Sequence, residues 1–454
     1  MASLHLSYHS IGRTSVRTSS RRHELDWLRA LIIISLVPFH VVGLFVVSIT
    51  SYVAGGQSSA LVDTLQGFFG LWPMSLLFLV AGASTWFALG RRTAGQYARE
   101  RLLRLLVPFL FATLVIIPIQ VYAVISAYPQ LLRLNIIPGL RIQSGESFLA
   151  FYPQYLAGYG YFLTHFTSMR EIVFWGHIWF IPRLLLYALA SVPLLAWLRG
   201  EQGLRFIERM AKLFVAPGGV LLLGLALALP RIVTGGLYRL ALNASPATSG
   251  DPYNQWAQLG VFLICFLLGY IFYASPQILA AIRRDGMVAL ILGISLFAVL
   301  QTPVGRLAPA TQFTPARILL ICLRTESEWL LVVGVLAIGL KFFTVGNGLL
   351  DYLNEAAYPL YVLHMPVLIL IGLWVIKSGL PAMIALPIIV VTTLAVTLGA
   401  YDLLIKRVGA LRLLFGLKPT YATGEKSAGR SQPDARDCPD GQDDGGVAQP
   451  VGKR

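Results

Sequence analysis

The sequence predicts an all-α, polytopic membrane protein, on three observations. Hydrophobic residues fill 56% of the 454 positions, charged residues only 13%, and the mean hydropathy is +0.70. Soluble domains carry about 25% charged residues, so this chain has too little polar surface to cover a water-facing globule, and a soluble enzyme is excluded. The apolar residues gather in runs of about 20, the length a helix needs to cross the hydrocarbon core. The Lys and Arg residues lie mostly between those runs, and mostly on one side.

About ten transmembrane helices follow from the runs, near 27–49, 62–89, 102–127, 172–197, 213–230, 255–274, 287–304, 316–341, 357–376 and 381–405. The first 26 residues are polar and basic, and the first apolar run is span-length rather than a short signal-peptide core. The expected organisation is a basic cytoplasmic segment over 1–26, a membrane domain over 27–410, and a tail over 411–454. That tail is rich in Gly, Asp, Pro, Ser and Lys, lacks apolar periodicity, and reads as disordered.

Orientation follows from a count. With a cytoplasmic N-terminus, the inside connections hold 20 Lys and Arg residues and the outside connections eight. That bias fits the positive-inside rule with both termini cytoplasmic, in a multi-pass protein of the cell (inner) membrane. It also accounts for the net charge of +15, which in a soluble chain would suggest a nucleic-acid partner. No nucleic acid is expected; the lipid bilayer is the partner. Cys265, Cys322 and Cys438 are scattered and give neither a disulfide framework nor a metal-ligand spacing.

Ionisable residues inside spans are costly and so default to functional candidates. Arg29 and His40, in the first run, are separated by ten residues. Eleven steps of about 100° bring them to one helix face, about 16 Å apart along the axis. A neutral imidazole deep in a bundle suits proton transfer, so His40 is the candidate base and Arg29 its companion. A second pair, Arg101 and Arg104, opens the third run at a spacing that presents two planar forks suited to phosphate. Ordinary charged flanking of a span is the plainer explanation for that pair.

His177 and His364 also sit in apolar surroundings, each near a proline, and are candidates for substrate binding or simply packed histidines. Arg324, Glu326 and Glu328 interrupt the eighth run. Arg324 and Glu328 are four apart and could pair, or the three could line an aqueous cavity, with Glu326 as a substrate-binding candidate. The 128–170 connection is dense in aromatic residues: Tyr155 and Tyr159, with Trp179 just beyond, could stack on a sugar, or form an interfacial belt. No Walker loop, GxSxG elbow, HExxH or dinucleotide fingerprint is present, and no metal or permanently bound cofactor is expected.

The first helix, DWLRALIIISLVPFH, with its Arg-x10-His spacing, resembles the signature of the acyltransferase family 3 integral-membrane enzymes. RLLRLLVP resembles that family's Arg-x-x-Arg motif, and LLFLVAGAS, HIWFIPRLLLY and YPLYVLHMPV are similar to its other landmarks. The PFH and HIWF segments lean towards the glucan-modifying, glucan succinyltransferase-like branch. The resemblance covers roughly residues 20–410. It implies transfer of an acyl group, acetyl or succinyl-like, from cytoplasmic acyl-CoA to a hydroxyl of an extracytoplasmic glycan or lipid-linked sugar. Arg29 and His40 match the first motif, Arg101 and Arg104 the second. Ten spans with intramembrane charges also suit a secondary transporter, although no internal repeat with paired broken helices is found.

Overall fold

A computed structural model describes residues 21–46, 60–128, 145–164, 174–242, 252–307 and 313–417. The tail beyond 417, with Cys438, lies outside these residues. The elements are helices: α1 (His23–Val46), α2 (Ala60–Phe69), α3 (Pro73–Leu89), α4 (Ala94–Ala127), α5 (Phe148–Thr164), α6 (Phe180–Ala190), α7 (Val192–Arg199) and α8 (Glu201–Val215). They continue with α9 (Leu223–Leu227), α10 (Leu229–Leu242), α11 (Pro252–Ala274), α12 (Pro276–Gln301), α13 (Pro315–Phe342), α14 (Gly348–Lys377), α15 (Ala382–Ala400) and α16 (Gly409–Leu414).

Among the described residues seven helices are long and apolar enough to cross a membrane, and the pair formed by α6 with its preceding turn and α7, bent by 50°, makes an eighth if taken as one span. The two remaining expected spans look different. The stretch near 213–230 is divided between the end of α8, the short α9 and the start of α10. The run near 316–341 is one unbroken helix, α13, whose apolar character is diluted by Arg324, Glu326 and Glu328. Pro193 lies two residues into α7, and a proline cannot continue the hydrogen-bond ladder of the helix before it.

Helix α1 sits among α3, α13, α14 and α15. Its contact with α14 is in parallel register, since Arg29 donates to Asn354 while His40, eleven residues on, meets His364, ten residues on. Helices α3 and α11 cross at their glycines. A methyl group on Gly82 would lie 1.8 Å from the Phe266 carbonyl oxygen, and one on Gly269 would lie 1.9 Å from that of Leu79. Small residues permit this backbone approach, which supplies packing where lipid gives no hydrophobic drive.

Helix α4 begins with a capping box, in which Gln96 N donates to Thr93 Oγ1 at 3.3 Å and Thr93 N donates to Gln96 Oε1 at 3.1 Å. It then widens into π turns at Leu102–Leu106 and Ala112–Ile116. Pro108 and Pro118 follow these turns and have no N–H to return. Leu114 in α register, or Thr113 in the wider π register, loses Pro118 as its donor. Two tyrosine hydroxyls take its place: Tyr152 donates to the Leu114 carbonyl at 2.9 Å, and Tyr155 to that of Thr113 at 3.0 Å. The aromatic-dense connection is therefore partly a helix, α5, whose rings bind it to α4.

That arrangement corrects the expectation of a stacking platform. Tyr155 has no exposed surface, its ring packs against Phe151 and Phe174, and its hydroxyl is taken by Thr113. Tyr159 is buried against Phe162 and Phe174. Neither ring has an open face for a sugar. Trp179 is stacked on Phe262 at 5.7 Å, with the Arg183 guanidinium 4.5 Å from its ring centre.

The expected pairing of Arg324 with Glu328 is corrected too. Glu328 is buried and accepts from Arg231 of α10 at 2.8 Å and from Ser75 of α3, while Arg231 also donates to Thr325 at 2.6 Å. A carboxylate turned into the bundle reaches partners on other helices. Arg324, on the same helix but at the surface, does not compete for it.

Candidate active site

One cavity, of about 620 Å³, opens between α1, α3, α4, α6, α14 and α16. Its charged end gathers Arg21, Arg29, Arg101, Arg104 and Arg412 with Asp26, Asp351 and Glu355: five guanidinium groups against three carboxylates, a formal excess of positive charge. Arg29 is held by Asp26 at 3.0 Å and by Asn354. Arg21 donates to Asp26 at 2.8 Å and to Asp351, and these two bonds push its pKa further up. Arg104 pairs with Glu100 at 3.2 Å, and Arg412 with Glu355 at 2.8 Å. Among the described residues Arg101 alone of the five has no carboxylate within ion-pair reach; its guanidinium lies 4.9 Å from the Tyr97 ring centre. Guanidinium forks crowded in this way suit a polyanion, phosphate above all.

The first π turn helps to place Arg104, and the chain after the last span completes the wall. Gly416, with φ of +67°, sits where a methyl group would lie 2.9 Å from the Arg104 carbonyl oxygen, and it accepts from Arg104 Nε at 3.4 Å. A side chain at that position would meet both a left-handed backbone and a clash. The bundle thus extends beyond residue 411, into the stretch assigned from sequence to the tail, because Arg412, Phe415 and Leu417 pack against it.

The other end of the cavity reaches Ile33, Phe180 and Tyr361. One turn further along α14 stands His364, and just ahead of α6 stands His177. The Tyr361 ring is 6.1 Å from His364 and 6.0 Å from His177, and its hydroxyl donates to the His177 carbonyl at 2.6 Å. His40 completes the group, its ring centre 5.4 Å from that of His364, while His177 lies 4.9 Å from His364 on another side. Three histidines, distant in sequence, form one cluster. His177 and His364 are buried at 6% and 0% exposure, whereas His40 is half-buried. Among the described residues no group of His, Cys, Asp and Glu is arranged to hold a metal ion.

The structure brings Arg29, Arg101 and Arg104 to one cavity and His40, His177 and His364 to one cluster beside it. Glu326 belongs to neither: it lies against Gly224 of α9. Sequence reasoning missed Asn354, Tyr361 and Arg412. The first two were readable, since Asp351, Asn354, Tyr358, Tyr361 and His364 recur at steps of three or four, the period of one helix face. Arg412 carried no such signal.

Neither the curated proteins nor the solved structures contain a match to this chain. The acyltransferase family, described as an acyltransferase domain, matches residues 22–402, which takes in every helix from α1 to α15. The chain, a multi-pass membrane protein by its helices, belongs to acyltransferase family 3 and is a membrane acyltransferase.

Proposed function

We propose that this acyltransferase draws an acyl group from cytoplasmic acyl-CoA and attaches it to a hydroxyl of an extracytoplasmic glycan or lipid-linked sugar, with His40 as the base. The observation that carries the reading is the continuity of the site: a cavity rich in guanidinium groups at one end stops at Tyr361, beside the histidine cluster at the other. The phosphates of CoA suit Arg101, Arg104 and Arg29. The pantetheine arm then lies along the cavity towards the histidines. The positive-inside count supports a cytoplasmic position for the arginine end and both termini, in a protein of the cell inner membrane.

The chemistry balances without a further reactant. As the acceptor oxygen attacks the thioester carbon, its proton passes to the lone pair of His40. The carbon–sulfur bond of the tetrahedral intermediate then breaks, and the departing thiolate takes that proton from the imidazolium. A positioned histidine contributes typically 10²–10⁴-fold to such a step. The glycan acceptor rests on the PFH and HIWF segments, through which the sequence resembles the glucan-modifying branch. Family membership supports an enzyme over a secondary exporter.

Purified protein given radiolabelled acetyl- or succinyl-CoA tests the reading. Slow hydrolysis or transfer of the label that disappears in His40→Ala, with the variant inserted and folded, is the expected result. Wild-type turnover in that variant would remove the base assignment. Mass spectrometry of surface glycans from a deletion strain identifies the acyl group, because the missing mass names it.

A further inference from the structure

Two members of the histidine cluster are fixed so that one nitrogen of each is left over. His364 Nδ1 lies 2.8 Å from the Tyr361 carbonyl oxygen and 3.1 Å from that of Leu360, and His177 Nε2 lies 3.0 Å from that of Val362. A carbonyl only accepts, so the hydrogen of each neutral ring sits on the nitrogen facing it. The lone pairs are thereby placed on His364 Nε2 and His177 Nδ1. Both atoms are buried and, among the described residues, have no hydrogen-bond partner. A buried acceptor is costly to leave unpaired, and His364, whose ring centre is 5.4 Å from that of His40, holds one of them.

His40 is the ring in place to supply one. Two imidazoles joined edge to edge by an N–H···N bond have centres roughly 5 Å apart, from a nitrogen separation near 3 Å and the two ring radii. His40 and His364 are separated by 5.4 Å with ring planes 32° apart. The bond forms when the His40 ring turns an N–H towards His364 Nε2, and His40 is the most exposed of the three histidines.

We propose that His364 is a positioning residue for His40. Its Nε2 accepts the hydrogen that His40 carries on the nitrogen not used as base, holding His40 in one tautomer with its other lone pair free for the acceptor hydroxyl. When His40 becomes the imidazolium, the same bond carries part of its charge. The hydrogen shared with His364 stays in place throughout, and only the acceptor's proton travels to the thiolate. His177, tied through its carbonyl to the Tyr361 hydroxyl and through its ring to Val362, braces His364 from the side. Two residues expected from sequence to touch substrate become the support of the base. The inference rests on His40 acting as that base.

The test is ¹⁵N NMR of histidine-labelled full-length protein in nanodiscs, joined to steady-state kinetics. In the wild type, His40 is expected in a single tautomer, with one nitrogen of pyrrole type and one of pyridine type. His364→Leu, close in volume and without an acceptor, is expected to mix the tautomers and to lower kcat tenfold or more, with KM for donor and acceptor unchanged. His364→Gln, whose side-chain oxygen can stand near Nε2, is expected to restore the single tautomer and most of kcat. A wild-type His40 already mixed between tautomers overturns the proposal, and that measurement needs no variant to fold. A raised acceptor KM at constant kcat in His364→Leu also overturns it and returns His364 to substrate binding. Full turnover in His40→Ala fails the base assignment instead, and the wild-type tautomer spectrum distinguishes that failure from loss of the His40–His364 contact.

Discussion

Arg412, in the short helix that follows the last long one, reaches 2.8 Å to Glu355 on α14, and both side chains line the cavity that Arg29, Arg101 and Arg104 share. Under the proposed function, the pair keeps a carboxylate from facing the donor's phosphates alone. In Arg412→Ala the Glu355 charge stands unpaired against the donor's phosphates. A charge-assisted bond contributes about 1.5–3 kcal/mol, so KM for acyl-CoA should rise roughly tenfold or more with kcat unchanged. An altered acceptor KM instead would assign α16 to the other substrate.

Arg101→Ala and Arg104→Ala should each weaken acyl-CoA binding by roughly one to two decades, measured by isothermal titration, with little effect on the acceptor. Lysine at either position supplies the charge but not the fork, and should recover only part of the affinity. Full recovery by lysine would mean that a point charge is enough.

Tyr155→Phe should cost stability and leave the kinetics alone. The lost hydroxyl strands the Thr113 carbonyl, which Pro118 cannot serve in π register. An unsatisfied buried acceptor costs about 1–3 kcal/mol, visible as easier unfolding in denaturing detergent. An acceptor KM that rises while stability holds would show that the ring meets substrate after all.

Removing one member of the Arg231–Glu328 pair should be severe, because Glu328 is buried and without Arg231 would keep only the Ser75 hydroxyl as partner. Breaking a buried pair costs about 3–5 kcal/mol, whereas replacing both partners by apolar residues is often neutral. Glu328→Leu and Arg231→Met together should therefore unfold later on heating than Arg231→Met alone. Equal instability of the double and single variants would point to a role for the ions beyond pairing.

Seven or eight of the ten expected spans were legible because they depend on apolar length, and the convergence of Arg29, Arg101 and Arg104 on one cavity concerns residues singled out by spacings of eleven and three along a helix. The meeting of His40 with His177 and His364 was not legible, since it depends on how α1, α6 and α14 pack, and single-sequence periodicity contains no distances between helices. Arg324 and Glu328 show how the local rule can mislead. A spacing of four offers a bond on the helix surface, but burial turned Glu328 inward to Arg231 and left Arg324 outside. Tyr155 failed in the same way: ring density was visible, but the carbonyl that needed its hydroxyl became visible only once α4 was seen to widen ahead of Pro118.

The parallel register of α1 and α14 makes the bundle a gauge. Arg29 grips Asn354 at one level and His40 adjoins His364 at another, eleven residues or about 16 Å further up. Neither helix can slide past the other without breaking both contacts, so the interval between the Arg29 and His40 levels is set by the rise of the helix itself. Under the proposed function, a donor anchored by its charged head must carry its thioester on an arm of matching reach. Thioesters clipped short of the nucleotide should then occupy the histidine end without the anchor, while the bare nucleotide head should fill the arginine end and never reach the chemistry. Carrier length, as much as carrier charge, becomes a selected property.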